Sequence, residues 1–289
     1  MNWTVSKATD ITTDIKIQYN QRSDWEQWWL ITADEHVDNP HFKEKLYKHH
    51  MDQAVERNAF VTSIGDFIDG MQGRNDKRHT KGDTREELKT DAYLNDLSDY
   101  GVNLLAPYKD NMALLVKGNH ETGLQKHTEY DVNREIRKSL ALLGSPVQGG
   151  NYRGWLRLRF EHEAGGSRRT LKCYYTHGYG GGGPVTKGVI QANRKAVYLR
   201  DADIVLSGHV HEQWMFPIEQ AGITASGEEI AYTQTHLMIP TYKEEFLNIG
   251  EGFHHQKGGP PKPVGCWWVR FYYSSRTGNI EYECIKGER

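Results

Sequence analysis

The chain has 289 residues, of which 37% are hydrophobic and 26% are charged, a composition typical of a globular protein with a polar surface. Its formal net charge of -2 excludes a bulk attraction to nucleic acid or membrane, although a local basic patch is compatible with it. No internal repeat and no clean domain linker is present. We therefore predict a single domain over residues 1–289, with a motif-bearing core at about 28–211 and a β-rich C-terminal part at 212–289.

The cysteines and the apolar segments bear on the cellular compartment. Cys173, Cys266 and Cys284 are far apart and odd in number, which argues against a disulfide framework and favours a reducing compartment. Residues 1–27 contain no apolar stretch of the signal-peptide type, and no segment approaches the length of a transmembrane helix. We therefore expect a cytoplasmic protein with no membrane association.

The predicted elements of the first half alternate between strands and helices. Residues 15–19 alternate between polar and apolar side chains and are predicted to form an edge strand. Short apolar runs bounded by glycine or polar residues predict buried strands, and apolar positions at helical spacing predict helices. The buried strands are predicted at 28–32, 60–64 and 112–116, and the helices at about 41–58, 84–105 and 131–143.

The second half is predicted to be richer in strands. Alternating patterns predict an antiparallel pair around a Gly165-Gly166 turn, and a helix is predicted after the glycine-rich residues 178–183. Residues 252–265, which contain Gly, Pro and the His254-His255 pair, are predicted to be a loop. The strands are predicted at 155–161, 170–176 and 203–207 and near 214–218, 229–237 and 267–273, and the helix at 187–199.

Polar side chains follow five of the predicted strands at the point where each strand ends. They are Asp34 and His36, Asp66 and Asp69, Asn119 and His120, His177, and His209 and His211. Asp-x-His and Gly-Asp-x-x-Asp taken singly are more typical of a turn or a helix cap, and Gly-His-x-His alone is equally compatible with a turn and a metal site, but five such motifs in succession are not typical of turns. The carboxyl ends of parallel strands lie at one edge of a sheet, so we expect these side chains to converge there. Asp, Asn and His without cysteine suit divalent metals such as Mn, Fe or Zn.

Together the motifs resemble the complete motif set of the calcineurin-like metallophosphoesterase superfamily. In this sequence they are Asp34-x-His36, Gly65-Asp66-x-x-Asp69, Gly118-Asn119-His120-Glu121, His177 and Gly208-His209-x-His211. They occur in order between about residues 28 and 211, and as a set they are highly specific. The resemblance implies an α/β fold in which two mixed β-sheets pack as a sandwich flanked by α-helices, with a dinuclear metal centre at the strand ends.

The resemblance also implies a role for each of these residues. His120 resembles the family's catalytic histidine that is not a metal ligand, and Asp69 would be its orienting partner. The implied cofactors are two divalent metal ions, with Mn favoured and Fe or Zn as alternatives. Asp34, His36 and His211 would bind one ion, Asn119, His177 and His209 would bind the other, and Asp66 would bridge the two.

The expected reaction is hydrolysis of a phosphate ester. Two cations about 3.5–4 Å apart lower the pKa of a water that they share and neutralise charge on the transferring phosphoryl group. The resulting metal-bridging hydroxide would attack phosphorus, and His120 would protonate the leaving group as general acid. The superfamily includes phosphodiesterases, nucleases, phosphomonoesterases and protein phosphatases, so the fold does not name the substrate. A non-catalytic metal-binding scaffold is the remaining alternative.

We favour a phosphodiester in a nucleotide or a nucleic acid. Gly70 stands where the Ser/Thr protein phosphatases of this type carry an arginine, and no arginine lies in any of the five motifs. A monoester dianion usually profits from such an arginine clamp. Against the diester, Glu121 after Asn119-His120 resembles the protein phosphatases. A phosphomonoesterase and a Ser/Thr protein phosphatase therefore stay open as alternatives.

The candidate substrate contacts are basic residues outside the motifs. A basic loop follows the second motif, although such a run is more often a solvated loop. The glycine-rich residues 178–183 would expose backbone N–H groups to a phosphate. The sequence leaves the oligomeric state open. The candidate contacts are Arg74, Lys77 and Arg78 in the loop and Lys187 after the glycines, and the next helix would offer Arg194, Lys195 and Arg200 to flanking phosphates.

Overall fold

The computed structural model describes residues 1–71, 81–165, 168–181, 183, 185–247 and 258–288. Its strands are β1 (Trp3–Thr9), β2 (Thr12–Tyr19), β3 (Glu26–Thr32), β4 (Phe60–Ser63), β5 (Met112–Val116), β6 (Gln148–Gly150), β7 (Arg153–His162), β8 (Arg168–Thr176), β9 (Ile204–Ser207), β10 (Trp214–Ile223), β11 (Glu229–Met238), β12 (Trp267–Ser274) and β13 (Asn279–Lys286). Its α-helices are α1 (Glu44–Glu56), α2 (Tyr93–Leu105), α3 (Asn119–Thr128), α4 (Val132–Leu142) and α5 (Val189–Tyr198).

The strands form two mixed sheets. The seven-stranded sheet has the order β1-β2-β7-β8-β9-β11-β10, and the six-stranded sheet has the order β13-β12-β3-β4-β5-β6. In the second sheet β3, β4, β5 and β6 are parallel, whereas β12 runs antiparallel to both β3 and β13. In the first sheet β8, β9 and β11 are parallel.

The hydrophobic cores place these sheets face to face with helices outside. One core joins Ile15 and Ile17 of β2 with Trp29 and Ile31 of β3, so it lies between the two sheets. A second core packs Leu30 of β3 against residues of α1, α2 and α4 on the outer face of the six-stranded sheet. Successive side chains of β3 therefore serve opposite faces. This is the sandwich flanked by helices that the family resemblance implied, and the predicted fold class is confirmed.

Several predicted elements differ in the structure. Residues 15–19 are not at an edge, because β1 pairs with β2 and takes the outer position. The helix predicted at 84–105 begins only at Tyr93, after two short 3₁₀ turns. The strands β1, β6 and β13 and the helix α3 were not predicted, since they are short or carry few apolar residues. Among the described helices, none is long and apolar enough to cross a membrane.

The five motif-bearing strands belong to two sheets. The first three are the parallel neighbours β3, β4 and β5, and the last two are the parallel neighbours β8 and β9 of the other sheet. The expectation of a single sheet edge was therefore wrong. The two sets meet because the sandwich brings both groups of carboxyl ends to the same end of the molecule, where Oδ2 of Asp34 accepts a hydrogen bond from the N–H of His209 at 2.8 Å.

Candidate metal centre

The structure brings all the motif side chains into one cluster at the ends of β3, β4, β5, β8 and β9. Asn119 and His120 are the first residues of α3, and the others lie in the loops directly after their strands. Most are buried: Asp34, Asp66, Asp69 and His177 are at most 2% exposed. The side chains of His120 and His211 are more open, at 15% and 17% exposed.

The first group consists of Asp34, His36 and His211. Oδ1 of Asp34 lies 3.2 Å from Nε2 of His211 and 4.0 Å from Nε2 of His36. The two Nε2 atoms are 3.4 Å apart. All three potential ligand atoms lie within 4.8 Å of one another, which is close enough to share one ion.

The second group lies beside the first and consists of Asp66, His177 and His209, again within 4.8 Å of one another. Oδ2 of Asp66 is 3.0 Å from Nε2 of His177, and Oδ1 of Asn119 is 3.1 Å from the same nitrogen. Asp66 also groups with His36 and His120 at similar distances, so its carboxylate stands between the two groups.

The neighbours of Nδ1 in two imidazole rings indicate whether these residues suit a metal. Nδ1 of His36 lies 3.0 Å from a carboxylate oxygen of Asp69, and Nδ1 of His177 lies 2.9 Å from the carbonyl oxygen of Ile64. The carbonyl oxygen of Ile64 holds the ring proton of His177 on Nδ1, which leaves the lone pair of its Nε2 facing the cluster. The approach of His36 to Asp69 is a charge contact without hydrogen-bond geometry. Oδ1 of Asp34 is buried there without a hydrogen bond among the described atoms. Nitrogen and oxygen lone pairs that are buried together, with no hydrogen-bond donor for Oδ1 of Asp34 among the described residues, suit a divalent cation.

The electrostatics of the cluster agree with that fit. Burial alone would lower the pKa of His177, but the carboxylates of Asp66 and Asp34 outweigh it and raise the pKa to about 10. Burial would raise the pKa of Asp66, but His177 and His120 hold it well below its usual range. The buried carboxylates therefore create a negative field that favours positive charge at this point.

The backbone of the centre is strained. In the described part of the chain eight non-glycine residues have a positive φ, and five of them belong to this cluster. They are Asp34, His36, Asp66, His209 and His211, with φ between 49° and 74°. A left-handed conformation costs roughly 1–2 kcal/mol per residue, although Asp and His tolerate it better than most residues do. The strain turns both side chains of each Asp-x-His or His-x-His pair into the cluster, and such strain concentrates at functional sites.

Two motif glycines are required because side chains approach their backbone closely. A Cβ atom on Gly118 would lie 2.1 Å from Oδ1 of Asp66, and one on Gly208 would lie 2.7 Å from Oδ2 of Asp34. Both distances are far below normal contact, so any larger residue would displace a carboxylate of the centre.

Glu121 is a structural member of the site to which the sequence analysis gave no role. Its carboxylate accepts hydrogen bonds from the N–H groups of Gly118 at 2.7 Å, Asp66 at 3.1 Å and Ile68 at 3.2 Å. Burial and the nearby charge of Asp66 raise its pKa to about 7. Glu121 thus ties the second motif to the third. Its position directly after Asn119-His120 was the available signal.

Asp69 lies beside two histidines. Nδ1 of His120 is 2.6 Å from its carbonyl oxygen and 3.2 Å from its Oδ1, and the same Oδ1 contacts His36. Burial would raise the pKa of Asp69, but the charges of Lys243, His36 and His120 hold it well below its usual range. The main-chain N–H groups of Asp69 and Gly70 donate to the carboxylate of Asp38 at 2.5 and 2.9 Å.

Asp38, Asn39 and Lys243 also contact Asp69 or its main chain, and the sequence analysis did not identify them. Asp38 and Asn39 follow the first motif closely and could have been suspected from that position. Lys243 lies 174 residues from Asp69 in the sequence and outside every motif, so no sequence signal connected the two.

The predicted substrate contacts are only partly described. Arg74, Lys77 and Arg78 lie outside the described residues. Lys187 is exposed and its carbonyl oxygen accepts a hydrogen bond from the indole of Trp214, but within the described part of the chain no contact joins its side chain to the cluster.

The prediction that Lys195 contacts a flanking phosphate of the substrate is wrong. Its side chain is buried, at 4% exposed, and Nζ donates to Oγ of Ser207 at 2.6 Å. It lies on the inner face of α5, next to the buried Ala192 and Ala196, whereas Arg194 and Arg200 are exposed. Lys195 is therefore not available to a substrate phosphate.

Comparison with known proteins found structural neighbours at low identity, while no family model and no curated protein matches the chain. Vps29 complexed with Zn²⁺ from Entamoeba histolytica is 12% identical, with a TM-score of 0.38 over 90% of this chain and 99% of that one. A conserved uncharacterized protein from Streptococcus pneumoniae, described as a predicted phosphoesterase, is 12% identical, with a TM-score of 0.34 over 91% and 98% of the chains. GAP50, described as the anchor in the inner membrane complex of Plasmodium, is 12% identical, with a TM-score of 0.43 over 91% and 90%. At these values activity has to be inferred from the chain's own residues.

Proposed function

Since the five motifs that resemble those of the calcineurin-like metallophosphoesterases meet in one buried cluster, we propose that the chain is a metal-dependent phosphoesterase. The observation that carries this proposal is the convergence of two His/Asp groups on Asp66, with His120 beside them. A binding scaffold would need neither a partly exposed histidine at that point nor the carboxylate of Asp69 beside it.

Each group of residues has a part in the proposed site. Asp34, His36 and His211 would hold one divalent ion, Asn119, His177 and His209 would hold a second, and Asp66 would contribute to both. Bound there, two such ions would activate a water and neutralise the charge of a phosphoryl group. The donor set suits Mn²⁺, our favoured ion, and also Fe or Zn.

His120 supplies the proton for the leaving group. Its Nδ1 is engaged by the carbonyl oxygen and carboxylate of Asp69, so the proton that it donates comes from Nε2. Nε2 lies 3.8 Å from Oδ2 of Asp66, at the inner side of the cluster. His120 and His211 are partly exposed, as are Asn119 and His209, so the substrate approaches from the side on which these four residues lie.

We propose a phosphodiester of a nucleotide or a nucleic acid as the substrate. No arginine lies in any of the five motifs, and the lysine beside Asp69 is paired with two carboxylates. A diester carries one charge less than a monoester and needs no further cation at the reacting phosphate. A phosphomonoester or a phosphoprotein remains the alternative substrate.

The experiment compares bis(p-nitrophenyl) phosphate with p-nitrophenyl phosphate at one Mn²⁺ concentration. We expect a higher kcat/KM for the diester. A preference of about tenfold for the monoester, or about 1.4 kcal/mol of transition-state free energy, would overturn the choice of substrate. Absence of hydrolysis of either ester with Mn²⁺, Fe²⁺ or Zn²⁺ would leave the scaffold as the better explanation.

A second assay addresses the nucleic acid. We expect cleavage of single-stranded DNA to weaken when Arg74, Lys77 and Arg78 are all replaced by Gln, while cleavage of bis(p-nitrophenyl) phosphate is kept. Equal cleavage of DNA by both proteins would remove the basic loop from the substrate contacts.

A further inference from the structure

Lys243 reaches the centre from the C-terminal part of the chain. It lies in the segment Thr241–Glu245, which follows β11, and its side chain is only 12% exposed. Nζ lies 3.3 Å from Oδ2 of Asp69 and 3.0 Å from Oε1 of Glu245. Burying a lysine to this extent costs free energy unless its charge is paired, and here the carboxylates of Asp69 and Glu245 offset that cost.

The two oxygens of Asp69 have separate partners. Oδ2 accepts from Nζ of Lys243 and, at 2.5 Å, from Nδ2 of Asn39. Oδ1 makes charge contacts with the histidines, at 3.0 Å from Nδ1 of His36 and 3.2 Å from Nδ1 of His120, and accepts no hydrogen bond from the described residues. Lys243 and Asn39 together therefore fix the orientation of the carboxylate, with one oxygen directed towards the histidines.

The segment is fixed firmly enough to hold Lys243 in place. The carbonyl oxygen of Asp34 accepts hydrogen bonds from Oγ1 of Thr241 at 2.6 Å and from the N–H of Tyr242 at 3.1 Å. Tyr242 is fully buried, and its carbonyl oxygen accepts from the N–H of Lys43 at 2.9 Å. The main chain beside Lys243 is thus anchored to the strained first motif.

We propose that Lys243 is a positioning residue for the general acid His120 and acts through Asp69. The inference rests on the proposed phosphoesterase function, since His120 acts as an acid only there. Lys243 and Asn39 hold Oδ2, and Oδ1 is thereby kept against the ring of His120. The C-terminal segment is consequently part of the catalytic arrangement.

The test compares two diesters that differ in their need for an acid. A nitrophenolate leaves without much help, whereas the phenolate of diphenyl phosphate needs more protonation. We expect Lys243→Met to lose about tenfold more kcat on diphenyl phosphate than on bis(p-nitrophenyl) phosphate, because a general acid typically contributes ~10²–10⁴-fold and His120 keeps its contact with the Asp69 carbonyl. Lys243→Arg, which retains the cation, should restore most of that loss.

A double-mutant cycle shows whether the effect passes through Asp69. In an Asp69→Asn background, Lys243→Met should add little further loss, since the shared carboxylate is already gone. The control is Arg157→Met, which breaks the ion pair with the buried Asp14 in the other sheet and should affect both esters equally. Equal loss on the two esters in Lys243→Met, or additive losses in the cycle, would overturn the inference.

A crystal structure of Lys243→Met separates this inference from the proposed function. We expect the Asp69 carboxylate to rotate away from Nδ1 of His120. An unmoved carboxylate contradicts the role of Lys243 even in a protein that hydrolyses no ester. Absence of hydrolysis by the wild-type protein contradicts the phosphoesterase function instead.

Discussion

The main-chain N–H of His120 donates a hydrogen bond to Oδ1 of Asp66 at 2.9 Å, so one carboxylate joins the motifs that follow β4 and β5. Its other oxygen, Oδ2, lies 3.0 Å from Nε2 of His177, which follows β8 in the second sheet. Asp66 is therefore the residue at which the two candidate ligand groups, the two sheets and the proposed acid come together.

Asp66→Asn should be the most damaging of the ligand substitutions. An amide removes the negative charge and sets an NH₂ group against either His177 or the N–H of His120. We expect metal content to fall and activity to drop on the order of 10²-fold or more, since even outer-sphere changes cost ~10–100-fold. Elemental analysis and Mn²⁺-dependent turnover measure this. Asp14→Asn, a buried carboxylate far from the centre, serves as control, and full metal content in Asp66→Asn would contradict the shared role.

His120 and Asn119 are neighbours with different proposed roles. His120→Ala should retain metal and lose ~10²–10⁴-fold in turnover on esters with poor leaving groups, and less on nitrophenyl esters. Asn119→Ala should instead lower metal content, because its Oδ1 faces Nε2 of His177. Metal analysis beside turnover for both variants decides the matter. If both variants lose metal equally, the assigned roles are wrong.

Gly118→Ala tests the close approach at the third motif. The added methyl would meet Oδ1 of Asp66 at 2.1 Å, so the carboxylate or the turn has to shift. We expect a lower melting temperature and a loss of activity of tenfold or more, since a misplacement of about 1 Å costs about 10²-fold. Gly181→Ala, where the new methyl meets nothing within 4 Å, is the matched control. Wild-type activity in Gly118→Ala would refute the packing argument.

The burial of Lys195 should make the stability of the protein depend on pH. Burial lowers its pKa from 10.5 to about 8, so between these values the unfolded chain binds more protons than the folded one. The Lys195 contribution therefore becomes more favourable as pH rises from 8 to 10.5, by about 3 kcal/mol, and is least favourable below pH 8. Lys195→Met should raise the free energy of unfolding at pH 7, and its advantage should shrink towards pH 10. Urea titrations at both pH values measure this, and a pH-independent difference would contradict it.

The sequence by itself determined which motif side chains belong to the candidate metal centre. Short apolar strands that end in Asp, Asn and His are a local pattern, so Asp34, His36, Asp66, Asn119, His177, His209 and His211 could be named together with His120 and Asp69. Strand ends can be recognised from the sequence because a short apolar run that stops at glycine or polar residues is a local pattern. The two-sheet fold followed from the family resemblance that those motifs carry.

Only the tertiary structure decided how the ends meet and what supports them. The five strands divide between two sheets, a matter of non-local pairing that no short pattern encodes. The left-handed turns at Asp34 and His211 are imposed by contacts between the motifs. Lys243 and the buried face that hides Lys195 depend on packing between segments that are distant in sequence. The sequence pattern predicts which polar residues lie at strand ends, but the folded backbone decides which of them come into contact.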